Sequence, residues 1–175
     1  MLFGGMEPYE DETINLENDL SVELLLKPND KLIISDINDY KSLSTSDGTL
    51  ENLFKNNKIN LLHSDLEQAM SLQIEIHSDS REKASLLGKQ YLEFEEQREL
   101  IIDRLTLHKE GFYSGRTTTE DQIRLILEKG KYQIKYFKTD KDVKGDYNQI
   151  KISIRIDKIA EIPNQSIELK LSKAL

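Results

Sequence analysis

Gln122-Ile123-Arg124-Leu125-Ile126-Leu127-Glu128-Lys129-Gly130-Lys131-Tyr132-Gln133-Ile134-Lys135-Tyr136-Phe137 is a pair of alternating runs punctuated by one glycine. With a period of two, Ile123, Leu125 and Leu127 share one face, and beyond the Glu-Lys-Gly turn Tyr132, Ile134 and Tyr136 share another. This spacing predicts a β-hairpin. A helix competes for the first run: Thr118-Thr119-Glu120-Asp121 resembles a capping box, Ile123, Ile126 and Leu127 fit one helical face, and Gly130 would serve as its C-cap. The strand reading prevails because Lys129-Gly130-Lys131-Tyr132 enters the next strand with no residues to spare for a separate connection.

The same alternation recurs outward from this stretch. Ile150-Lys151-Ile152-Ser153-Ile154-Arg155-Ile156-Asp157 alternates over eight residues, and Ile167, Leu169 and Leu171 alternate with Glu168, Lys170 and Ser172. Leu20 to Leu26, the turn residues Pro28-Asn29-Asp30, and Leu32-Ile33-Ile34 predict a second hairpin. Ile59 and Leu61, and then Met70, Leu72, Ile74 and Ile76, mark two further strands, each ending at a histidine. Lys41 to Gly48 has nothing to bury and reads as a loop, and Thr49 to Phe54 as one helical turn. These runs predict a mainly β fold, an antiparallel β-sandwich with one helix or helical insertion between Ser80 and Gln90. The alternative is an α+β domain with a long helix over residues 80–109, since Ala84, Leu87, Tyr91, Phe94, Ile101 and Leu105 also sit near helical spacing.

A chain of 175 residues can bury about 70% of its unfolded surface in one core. Residues 1–12, with Glu7, Glu10, Asp11 and Glu12 beside glycines and Pro8, read as a mobile acidic arm, and residues 13–175 as a single β-rich domain. The 24 Lys and Arg against 32 Asp and Glu give a net charge of −8, which argues against direct nucleic-acid binding and favours a basic protein partner. With no cysteine there is no disulfide framework, thiolate nucleophile or thiol-based zinc site. The start Met1-Leu2-Phe3-Gly4-Gly5 is not a secretory signal, and no apolar run approaches the ~20 residues of a membrane span. A cytoplasmic protein is the expectation.

No motif requires a metal or other cofactor. His63, His77 and His108 fall at strand ends without ligand spacing. Asp140-Lys141-Asp142-Val143-Lys144-Gly145-Asp146 imitates the start of a calcium loop but places Lys144 and Lys151 where an oxygen ligand and a bidentate glutamate belong. Gly111-Phe112-Tyr113-Ser114-Gly115-Arg116 lacks the spacing of a nucleophile elbow and reads as a loop exposing aromatics beside an arginine, as interfaces favour. Glu93, Glu95, Glu96 and Glu99 form the densest internal acidic cluster; on a strand Glu93 and Glu95 would share a face about 7 Å apart. These four glutamates with Phe112, Tyr113 and Arg116 are the candidate partner-binding residues.

Leu92-Glu93-Phe94-Glu95-Glu96-Gln97-Arg98, followed by an aliphatic run, Arg104, and then Leu127-Glu128-Lys129-Gly130-Lys131-Tyr132-Gln133-Ile134, resembles the competence protein J family, which includes the inhibitor of a bacterial DNA-entry nuclease. The resemblance covers residues 90–138; this chain is longer than the family pattern and lacks tryptophan. It implies a non-catalytic bacterial protein of the inhibitor or immunity type that occludes a basic enzyme such as a nuclease. An enzyme of unrecognised type using His63, His77 or His108 with nearby carboxylates, or a structural subunit of a phage or secretion assembly, remains open on the residues alone.

Overall fold

The computed structural model describes residues 12–13, 20–43, 48–76, 84–108, 113–115, 123–139 and 149–171. In chain order these form β1 (Glu12–Thr13), β2 (Leu20–Leu26), β3 (Lys31–Asp36), α1 (Ile37–Leu43), α2 (Thr49–Lys55), β4 (Ile59–Ser64), β5 (Met70–Ile76) and β6 (Ala84–Phe94). There follow β7 (Arg98–Leu107), β8 (Tyr113–Gly115), β9 (Ile123–Leu127), β10 (Gly130–Thr139), β11 (Gln149–Ile159) and β12 (Leu169–Leu171). The fold is mainly β, with two sheets. The first runs β2-β5-β11-β10-β6 with β1 added against β11; the second runs β12-β4-β3-β7-β8 with β9 against β7. Pairing is antiparallel except between β11 and β5 and between β12 and β4, so the sheets are mixed rather than purely antiparallel.

Both expected hairpins have the right strands and the wrong partners. β9 pairs with β7 in the second sheet, while β10 pairs with β6 and β11 in the first. β2 likewise lies in the first sheet against β5, and β3 in the second. The physical reason is the direction of the apolar faces. Ile123, Leu125 and Leu127 and, across the turn, Tyr132, Ile134 and Tyr136 all enter one core, approaching it from opposite sheets. A hairpin would lay both sets side by side on one sheet; a turn that crosses between sheets sets them face to face. Gly130 makes this crossing at a φ of 155°, and Asn29 makes the β2 to β3 crossing at 68°. Backbone at positive φ is open to glycine and, among other residues, most readily to asparagine. The Tyr132 hydroxyl ties off the first turn by donating to the Glu128 carbonyl at 2.7 Å.

The expected helix between Ser80 and Gln90 is absent over its described part, which belongs to β6, and β6 and β7 replace the alternative long helix over 80–109. Leu92 and Phe94 alternate inward against Tyr132 and Gly130 of β10, so the period of two wins over the helical one once a neighbouring strand is supplied. The helical insertion lies instead between β3 and β4. Asp36 caps α1 by accepting from the Asn38 and Asp39 N–H groups at 2.8 and 3.1 Å, so Lys41 to Leu43, expected as loop, are helical. The helical turn expected from Thr49 is α2. Both helices cover the outer face of the second sheet, where Ile33, Ile59, Leu61, Ile101 and Leu105 meet Tyr40 and Leu43. Burial on both faces explains why β3 is buried at every position and shows no alternation in sequence.

One side of the sandwich is stitched shut where β6 meets the second sheet. Gln90 bonds the main chain of β4, Asn60 donates to the Tyr91 carbonyl at 3.0 Å, and the Tyr136 hydroxyl donates to Asn60 Oδ1 at 3.0 Å. The Tyr91 N–H donates to Ser166 Oγ at 2.8 Å. The edge of β6 is thereby occupied at Tyr91, which shortens the template it offers for pairing with other chains.

Candidate functional site

The structure separates the acidic residues expected to form a ridge. Glu93 lies on the outer face of β6 opposite Lys131. Glu95 lies beyond the end of β6, in the turn to β7, so it shares no strand face with Glu93. Glu96 pairs with Arg98 at 3.0 Å, and Glu99, on the second sheet, pairs with Arg124 at 3.2 Å. Two of the four charges are thus answered within the chain, at exposed sites where each pair adds little to stability. Tyr113 belongs to β8 and is half-buried, its ring 5.2 Å from Lys31 Nζ, instead of being displayed in a loop. Phe112, Arg116, His77 and residues 140–146 lie outside the described residues.

A denser constellation forms where β3, β4, β8 and the approach to β12 converge. Lys31 and His63 are register partners, as are His63 and Lys170. Lys31 Nζ, 9% exposed as a residue, donates to Glu168 Oε1 and lies 3.5 Å from His63 Nδ1. His63 Nδ1 is 3.8 Å from the same carboxylate oxygen. Burial first, then the Glu168 and Asp30 charges, pushes the Tyr113 hydroxyl above its ordinary range and keeps it protonated. Burial likewise raises the Asp30 carboxyl, against the opposing hydrogen bond from the Lys27 N–H and the Arg104 charge. Lysine, histidine, carboxylate and phenol within reach of one another can hold an anion or pass a proton. His108 sits elsewhere, its Nε2 against Ser114 Oγ. Among the described residues no group of three or more acidic or histidine side chains is arranged to hold a metal ion.

Sequence reading placed His63 among its candidates and missed Lys31 and Glu168. These two are 137 positions apart, and only the parallel pairing of β12 on β4 brings them together. No spacing pattern encodes such a meeting.

The acidity of the chain is also unevenly placed. Residues 1–19 contain Glu7, Glu10, Asp11, Glu12, Glu17 and Asp19 and no lysine or arginine, which leaves 26 acidic against 24 basic residues in the rest. The sandwich proper is close to neutral. β1 and β2 attach this acidic stretch to the first sheet at Lys158 and Asp157 and along β5.

No protein-family model matches the chain, and no curated protein does. The resemblance to competence protein J gains no support from either comparison. A solved structure titled "Crocagin biosynthetic gene J" aligns with 78% of this chain and 97% of its own at 10% identity and a TM-score of 0.45. No helix among the described residues is long and apolar enough to cross a membrane.

Proposed function

We propose that this chain is a non-catalytic protein-binding module, a bacterial cytoplasmic protein of the inhibitor or immunity type, whose acidic N-terminal stretch engages a basic partner such as a nuclease. The observation that carries this reading is the segregation of charge: six acids without one base in residues 1–19, joined to a nearly neutral sandwich through β1 and β2. Segregated charge steers encounter with an oppositely charged surface and discriminates against like-charged ones. Glu95, exposed in the β6 to β7 turn, adds to the same field. Glu96 and Glu99, already paired, add less.

The test is kinetic. With a basic partner in hand, replacing Glu7, Glu10, Asp11, Glu17 and Asp19 by their amides slows association at least ten-fold at low salt, and the difference shrinks as salt shortens the screening length to about 8 Å. Equal rates at low salt would remove the acidic stretch from the interface.

A second reading, an enzyme, has one observation in its favour: His63 and Lys31 share the Glu168 carboxylate beside a protonated Tyr113. That constellation supports proton transfer. Turnover of any substrate by the wild-type chain that Glu168→Gln abolishes would favour it over the binding reading.

A further inference from the structure

Most outer strands of the two sheets are guarded against pairing with another chain. β1 is two residues long, β8 and β12 are three, and β9 carries Arg124. β6 carries Lys89, a register shift against β10 and the contacts at Tyr91. Short length, cations and broken register all discourage edge pairing. β2 has none of these guards. It closes the first sheet with the seven residues Leu20–Leu26, in unbroken register with β5 and without lysine, arginine or proline.

Its free side presents main chain. The Leu25 carbonyl accepts from Arg104 Nη1 on the other sheet, so it is turned away from β5. In an antiparallel pair this outward direction recurs at every second residue, which places the N–H and C=O groups of Ser21 and Glu23 on the open side. Both residues are exposed, and those groups have no partner among the described residues. The side chains add a pattern. Leu20 and Val22 are half-buried at the margin of the core, while Glu23, on the opposite face, accepts from Ser71 Oγ and pairs with no cation among the described residues. The acidic residues 1–19 run directly into this strand at Leu20.

We infer that the free edge of β2 is the docking strand for the basic partner, which adds an extended segment there with apolar residues toward Leu20 and Val22 and lysine or arginine toward Glu23. The inference rests on the proposed recruitment of a basic protein and adds the place and form of the contact. Main-chain hydrogen bonds to Ser21 and Glu23 supply affinity, and the alternation of apolar and basic side chains supplies specificity. Apolar residues of the added strand extend the core over Leu20 and Val22, while its cations meet Glu23 and the acidic stretch on the same side. A second copy of this chain is a poor occupant, because β2 carries an acid and no base and two copies would bring their acidic stretches together.

The experiment titrates the isotope-labelled full chain with the peptide Lys-Val-Lys-Val-Lys-Val-Lys at low ionic strength and follows the backbone amides by NMR. Saturable shifts centred on the Ser21 and Glu23 amides are expected. Ser21→Pro removes an outward donor at a place where edge strands tolerate proline, and weakens binding about ten-fold, the scale of one or two lost hydrogen bonds. Ser21→Lys keeps the N–H, guards the edge with a cation and weakens binding as well; Ser21→Ala leaves it unchanged. The block peptide Lys-Lys-Lys-Lys-Val-Val-Val, of equal charge and composition, binds about ten-fold more weakly because it lacks the alternation. The chain amidated at Glu7, Glu10, Asp11, Glu17 and Asp19 separates the two claims. If it loses the peptide while Ser21→Pro keeps it, acidic recruitment stands and the edge inference falls; if Ser21→Pro alone loses it, the edge stands without the acidic stretch. Equal binding of the two peptides, or no shift at the Ser21 and Glu23 amides, overturns the inference.

Discussion

Gln90 grips both main-chain groups of Leu61, accepting from its N–H at 2.9 Å and donating to its carbonyl at 2.6 Å. The same amide donates to the Ile167 carbonyl at 2.8 Å. A fully buried side chain on β6 thus stands in for a missing strand: it supplies β4 with the hydrogen bonds a neighbour would make, and it fastens the segment that leads into β12. Such bonds are modest when formed and expensive when one partner is removed.

Gln90→Met keeps the volume and strips the polar atoms, leaving the two buried main-chain groups of Leu61 and the half-buried Ile167 carbonyl without this partner. The expected cost is about 2–4 kcal/mol in urea denaturation, below the sum of three full penalties because the segment around Ile167 can relax toward water. A loss under about 0.5 kcal/mol would show that water enters this seam in the native protein.

Ile154 is fully buried, on β11 opposite Tyr136 of β10 and beside Ile76 of β5. Truncation to alanine removes three carbons from the core between the sheets, at an expected cost of about 2–5 kcal/mol. An unchanged denaturation midpoint would mean that the inner face of β11 is solvated.

Gly130 tests the crossing between sheets. A Cβ there would meet Lys158 Cε at 2.9 Å, the far end of a flexible chain, and would also impose a φ of 155° on a residue that resists it. Gly130→Ala is expected to cost about 1–3 kcal/mol from the backbone alone. Adding Lys158→Ser, which clears the steric contact, should recover little of that. Full recovery would assign the cost to packing instead of to the turn.

Asp30 gives the pH dependence. Its folded pKa is raised above the ordinary value of 3.8 by burial, so the native state holds the proton more tightly than the unfolded chain. The stability it contributes is present below 3.8 and is lost as pH rises through the folded value. Asp30→Asn retains an acceptor for the Lys27 N–H, whose bond to Oδ2 is 2.9 Å, and cannot ionise. Relative to wild type, this variant should therefore gain stability as pH rises from acid toward neutral. A difference that does not change with pH would show that the folded and unfolded values coincide.

Strand identity was legible in the sequence wherever one face of a strand meets water, as in β5, β9 and β11, since alternation is the imprint of that asymmetry. Partner choice was not. The alternation of Ile123, Leu125 and Leu127 fixes which side chains are buried and leaves open whether β10 lies beside them or across the core. β6 misled for a related reason: Leu87, Tyr91 and Phe94 satisfy helical spacing, and only the neighbouring β10 decides between the periods. α1 escaped notice because its cap, Asp36, ends a strand that is buried on both faces. Of the candidate site, His63 was visible as a residue type. Lys31 and Glu168 became partners only through long-range pairing, and the acidic cluster lost its unity because the turn at Glu95 carries Glu99 to the other sheet.

The central claim, that the acidic stretch of residues 1–19 recruits a basic protein, is tested most directly by paired affinity capture from the host. The wild-type chain and the variant with Glu7, Glu10, Asp11, Glu17 and Asp19 amidated are each immobilised, and retained proteins are identified at low and physiological salt. The account predicts a basic protein held in stoichiometric amount by the wild type and depleted at least ten-fold on the variant. Equal retention of that protein by both chains, or a stoichiometric partner that is itself acidic, would contradict it.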